Sequence, residues 1–438
     1  MRKQGLVILA TAGLAAPASA QLSRTVVYGD TTTNIPRVRT WSGSAWSAAA
    51  ATLDIGGSPR WVVVDNCPIR SEMIAAVGDS QDDLNVMVYN GSAWGSLLQA
   101  NSDIGTDSDR AFCLAYEQAS GDALLAYRVG NTDSTLYYRT WDGTSWSSES
   151  STSYSGSGNP RYIKLVPKPD SNEIMALVLD SKKDVSALVW NGTSWGNKTL
   201  LDNNAQLAGS ELMDAAYERV SGRCLVVWSV KNTGTPSYEI WNGSSWGSEL
   251  LLPSIGGKGD WARLAADPAS NKIIAMFLDT SADVNVVEWS GSTWGSVTEL
   301  ETSASATDRR AIDVAFEPAG TRAIAAYGTS SQDYLYYRTY SGSSWSAEQT
   351  GPNLSDPVGI VQLSASGSGQ EILIGVETKN DGALAFMRWT GSTIADYQTL
   401  ASDLGGPNSV ECFMFSPSVA GSTSTPRIVS WQEVDPGS

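Results

Sequence analysis

Apolar residues along this chain fall in short runs, each closed by Gly, Ser, Asn or Asp, a pattern that predicts strands joined by turns. Residues 110–146 show the unit. The run from Arg110 to Glu117 predicts a first strand, Ala119-Ser120-Gly121 a turn, and Ala123 to Arg128 a second strand. Thr135 to Trp141 predicts a third strand. The stretch Trp141-Asp142-Gly143-Thr144-Ser145-Trp146 predicts a hairpin into a fourth from Ser145, because Gly supplies the positive φ that such turns need. The hairpin recurs with starts at Trp41, Tyr89, Trp141, Trp190, Trp241, Trp289, Tyr340 and Trp389. These starts lie 48, 52, 49, 51, 48, 51 and 49 residues apart, and a near-constant period marks a repeat architecture. Seven copies end on a second Trp, and the last ends on Ile394. The paired aromatics are read as packing between neighbouring sheets; an exposed platform for sugar rings is the alternative.

Four antiparallel strands per repeat describe a propeller blade. First strands begin near Arg60, Arg110, Arg161, Glu211, Trp261, Arg310, Gly359 and Val410, which makes eight. The first copy, Arg24 to Ala50, lacks a first strand, and the last, Val410 to Val434, lacks the hairpin. The two ends complement each other. The predicted fold is therefore all-β: an eight-bladed β-propeller of four-stranded antiparallel blades, closed by pairing N- and C-terminal strands, which removes exposed sheet edges. Second strands number nine, because Arg24–Tyr28 and Arg427–Trp431 both read as one; closure with one redundant strand is the expectation. Blades alternate between two types, so the repeating unit is read as a blade pair present four times.

Residues 1–20 read as a signal peptide. Arg2 and Lys3 precede an apolar run from Leu6 to Ala15, and Ala18-Ser19-Ala20 forms a small-residue cleavage site. The mature propeller, 21–438, is expected outside the cytoplasm: secreted, at the cell surface or in the periplasm. Charged residues make up only 17%, and the formal charge is −17 with Lys and Arg scattered; nucleic acid is disfavoured as a partner. The absence of histidine excludes Ser-His-Asp and Cys-His catalysis and the usual catalytic zinc sites. Cys67, Cys113, Cys224 and Cys412 match no metal spacing and are read as small buried residues, with Cys67 and Cys412 close enough to meet in a closed ring.

Two constellations carry candidate chemistry. Aligned first strands place Val63, Cys113, Lys164, Asp214, Arg263, Asp313, Gln362 and Phe413 in one column. Lys164, Asp214, Arg263 and Asp313 alternate in sign over four consecutive blades. They are expected to form an inter-blade ion network, since buried charges require partners; a ligand site in the channel is the alternative. The loops after second strands pair Asp79 with Asp83, Asp180 with Asp184, Asp279 with Asp283, and Glu377 with Asp381. Oxygen-rich loops suit calcium, whereas the turn-shaping reading has each Asp accept backbone hydrogen bonds. Asn90-Gly91-Ser92, Asn191-Gly192-Thr193 and Asn242-Gly243-Ser244 match glycosylation sequons and are read as turn residues.

The hairpin Trp141-Asp142-Gly143-Thr144-Ser145-Trp146 resembles a shortened Asp-box turn of sialidase-like propellers. Their arginine, tyrosine and carboxylate set does not map onto this chain, so the activity does not carry over. Over residues 24–434 the chain looks more like the Trp-x-Gly-x-x-Trp repeats of exported bacterial surface proteins, a resemblance that implies adhesion or binding. The expected function is an extracellular or cell-surface binding and adhesion module without catalysis, with surface glycans or surface proteins as partners. The alternatives are a sialidase-like glycan-active enzyme and a structural spacer or assembly subunit.

Overall fold

The computed structural model describes residues 24–29, 33–105, 110–206, 211–305, 309–365, 369–402, 404 and 413–416. Eight four-stranded antiparallel sheets form the molecule, and the described residues contain no helix. Seven sheets are contiguous in sequence and are numbered here as blades 1–7: Pro59–Asn101, Phe112–Ser153, Pro160–Asp202, Met213–Leu251, Gly259–Glu301, Ile312–Asn353 and Val358–Ala401. Blade 8 joins Phe413–Ser416 as innermost strand to Arg24–Tyr28, Arg37–Trp41 and Ala50–Ala51. Each innermost strand contacts those of both neighbouring blades, and Phe413–Ser416 contacts blade 1, so the ring is closed. This is the eight-bladed β-propeller that the repeat predicts.

Closure rests on Tyr28 facing Phe413 and Thr25 facing Ser416 in an antiparallel ladder. Arg24–Tyr28 is thereby the second strand of blade 8. The rival second strand Arg427–Trp431, like Cys412, the signal peptide and the adjoining residues 21–23, lies outside the described residues.

Burial explains the apolar pattern. Second strands such as Met73–Asp79, Ile174–Asp180 and Ile273–Asp279 are buried along their whole length, because a blade is covered on both faces by its neighbours; such strands read as continuous apolar runs. Outer strands are largely exposed. The blades alternate in geometry as well as sequence. Innermost strands have eight residues in blades 1, 3, 5 and 7 but five in blades 2, 4 and 6. The fourth strand starts at the second Trp in blades 1 and 3 but only at Ser150 in blade 2, where Trp146 forms an isolated bridge to Trp141.

All eight hairpin glycines adopt φ between 91° and 99°, the left-handed region that other residues avoid. Asp142, Asn90, Asn191 and Asn242 each accept backbone N–H bonds from the residues two and three positions on. The sequon asparagines therefore do shape turns.

Candidate functional site

The hairpin divides its two aromatics between different tasks. The first is buried: Trp141, Trp190, Trp241, Trp289 and Trp389 are each 1–3% exposed. Each donates its indole N–H to a glutamate of the preceding blade: Trp141 to Glu72 at 3.1 Å, Trp190 to Glu117 at 2.7 Å, Trp241 to Glu173 at 3.1 Å, Trp289 to Glu218 at 2.6 Å and Trp389 to Glu317 at 2.9 Å. A basic side chain completes several of these clasps. Arg223 pairs with Glu218 and donates to the Gly291 carbonyl of the next hairpin, and Arg322 does the same for Glu317 and Gly391. Blade 6 begins its hairpin with Tyr340, and there Lys272 of blade 5 stands over the ring at 5.8 Å and donates to Gly342. The packing reading of the first aromatic is correct, and its glutamate partners are an element that periodicity did not reveal.

The second aromatic is less sealed, except in blade 8, where Trp46 is buried. Trp94, Trp146, Trp195, Trp246, Trp294 and Trp345 are half-buried, with ring centroids 5.3–5.6 Å from the first aromatic. Trp146, Arg139, Thr144 and Ser147 line an open groove whose opposite wall is Leu97 and Leu98 of blade 1. Arg139 is held there by the Ser147 carbonyl at 2.9 Å and the Ala100 carbonyl at 3.2 Å.

The charged column comes together as an inter-blade network. Lys164 pairs with Asp214, Arg263 with Asp313 at 3.1 Å and with Asp214 at 3.8 Å, and Arg310 with Asp313 at 3.6 Å. Arg110 reaches past blade 3 to Glu211 of blade 4. The aspartates also hold main chain: Asp214 accepts the Leu264 N–H at 2.9 Å, and Asp313 the Leu363 N–H at 2.8 Å. In blade 2 the Cys113 sulfur takes the same place, accepting from Leu165 N at 3.3 Å. Burial opposes the charge of Arg263, but Asp313, Asp214 and Glu211 outweigh it and raise its pKa. Burial, with Arg263 nearby, lowers Lys164 to about 8 despite Asp214, and lowers Arg310 to about 10. Burial pushes the Cys113 thiol up to about 12; Cys67, Cys113 and Cys224 are all free and buried.

The paired aspartates turn their oxygens to backbone. Asp79 accepts from Gln81 and Asp83 N–H, Asp180 from Lys182, Asp184 and Gly158, and Asp279 from Ser281, Asp283 and Gly257. Asp184 accepts from Ser157. A calcium ion in these loops would have to displace those donors. No three Asp, Glu or Cys side chains among the described residues group as metal ligands.

No protein-family model and no curated protein sequence matches the chain. Among solved structures it is similar to the BP39L lectin from Burkholderia pseudomallei, with a TM-score of 0.54 and 13% identity over 79% of this chain and 99% of the lectin. It is also similar to AofleA from Arthrobotrys oligospora, with a TM-score of 0.44 and 10% identity over 83% of this chain and 91% of the other. A PL25 ulvan lyase matches with a TM-score of 0.45 and 11% identity over 82% and 97%. At such identities the first of these likenesses establishes the propeller fold and nothing finer.

Proposed function

We propose that the protein is an exported binding module that takes carbohydrate in the grooves between its blades and performs no chemistry on it. The observation that carries this reading is the second hairpin aromatic. Six equivalent indoles stay half-buried around the ring, and in blade 2 the indole lies beside hydroxyls and an anchored guanidinium in an open groove. A flat apolar face flanked by hydrogen-bonding groups suits a sugar ring, which has apolar C–H patches and hydroxyl edges. The sharing of this scaffold by a lectin agrees with the reading. Repetition makes the site multivalent, and avidity would compensate for weak single grooves. Export rests on the leader-like residues 1–20, and recovery of secreted protein starting at Gln21 checks it.

The direct test is a glycan array followed by calorimetry on the strongest hit. Trp146→Ala is expected to remove one site from the stoichiometry, or to weaken apparent affinity roughly tenfold where avidity dominates, with cooperative unfolding retained. A blank array sinks the proposal. Release of reducing or unsaturated ends from a bound polysaccharide would replace it with a glycan-active enzyme.

A further inference from the structure

A cavity of about 100 Å³ lies where the innermost strands of blades 3, 4 and 5 end. That is room for several waters, one of which needs on the order of 10–15 Å³ on the same measure. Its walls are apolar, with Tyr217, Phe316 and a run of alanines including Ala265 and Ala365. Lys164, Asp214 and Arg263 also line it. Arg263 is 3% exposed, and its Nη1 has no hydrogen-bond partner, only the long approach to Asp214. A buried guanidinium N–H without a protein acceptor costs free energy, which favours an acceptor, water or ligand, beside it.

The charge count has the same direction. Of the charged residues that line the cavity, two are cations, Lys164 and Arg263, and one is an anion, Asp214. That excess of cations at the wall favours an anion over a cation or a neutral guest.

We infer that this channel cavity is a second, separate binding site for a small carboxylate, whose oxygens meet Lys164 and Arg263 while its carbon body lies against the apolar walls. The site does not depend on the inter-blade grooves. Two sources share this chemistry: a free aliphatic carboxylate and the uronate end of a glycan. Among the described residues, the Lys164 ammonium interacts with Cys113 on blade 2, Glu211 and Asp214 at blade 4, and Arg263 on blade 5. A bound carboxylate adds one negative neighbour and raises the lysine pKa. Binding is therefore linked to proton uptake above the free value of about 8: affinity is flat below that pH and falls by up to about tenfold per unit above it.

Calorimetry with propionate, propionamide and glucuronate on the full chain tests this. Propionate binding with propionamide silent supports the site and a free carboxylate. Glucuronate binding, alone or in addition, supports the site and a uronate source. Silence from both acids, or equal binding of propionamide, overturns it. Ala365→Leu and Ala265→Leu fill the cavity without touching an ion pair and are expected to weaken binding at least roughly tenfold. Retained affinity in both variants, each still unfolding cooperatively, would overturn the assignment. Trp146→Ala should leave this binding unchanged while lowering the stoichiometry or apparent affinity of groove binding, which separates the two sites.

Discussion

In blades 1, 2, 3, 4 and 6 a single glutamate ties the blade to the hairpin tryptophan of the next. Glu218 accepts from the Trp289 indole and from both Nε and Nη2 of Arg223 while almost wholly buried. Glu218→Ala would leave the indole N–H without its acceptor and Arg223 with only its bonds to Gly291 and Ser221. The expected loss is about 1–3 kcal/mol, read as a lower Tm and a change in tryptophan emission; an unchanged Tm would remove the clasp from the account of stability. These glutamates were not legible in the sequence, and the reason is distance. Each lies 68 to 73 residues before its tryptophan, more than one period away. It follows the first strand in blades 2, 4 and 6, as Glu117, Glu218 and Glu317, but precedes the second in blades 1 and 3, as Glu72 and Glu173. A column read by alignment misses partners that change place. The charged column was legible because Lys164, Asp214, Arg263 and Asp313 keep one register on consecutive strands, and buried opposite charges at one register meet. The missing information was that Asp214 and Asp313 also bond main chain, which depends on the vertical offset between blades.

At the level of strands, the third strand of the even-numbered blades carries a second interlock. Arg39, Arg139 and Arg338 each donate across the interface to a fourth-strand carbonyl of the preceding blade, at Leu400, Ala100 and Leu300. Blade 4 has Glu239 there, with Leu201 in the equivalent position opposite. Burial, and then Glu249, pushes Glu239 up to about 7 from an ordinary 4.5. The folded chain thus holds a proton that the unfolded chain releases, so stability falls as pH rises from about 4.5 to about 7 and is level above. Glu239→Gln should flatten that slope and raise Tm at pH 8, with the gain vanishing near pH 4. Glu239→Arg should go further by restoring the donor to Leu201, worth about 1 kcal/mol. Melting curves across pH check both, and a Glu239→Gln protein no more stable than wild type at pH 8 would show that the carboxylate is solvated instead. Alternation of blade types was readable from sequence motifs; the exception at Glu239 stands out only once the facing carbonyl is known.

The whole ring depends on strands from opposite ends of the chain. The repeat count and the complementary terminal copies made this closure predictable, because an unclosed propeller would present a bare sheet edge. The described contact is small: four residue pairs between Thr25–Tyr28 and Phe413–Ser416. Yet it gives blade 8 its innermost strand and brings that strand against blades 1 and 7. A chain stopped at Ala401 would leave the edge of Arg24–Tyr28 unpaired. At about 1 kcal/mol per ladder hydrogen bond the loss is about 4 kcal/mol before any lost packing. An unpaired, apolar edge also templates association between copies. The truncated chain is therefore expected to melt earlier and to show concentration-dependent association by light scattering, where the full chain stays monodisperse. A truncated chain that remains monomeric with an unchanged Tm would mean that the seven contiguous blades hold the ring without the terminal strand.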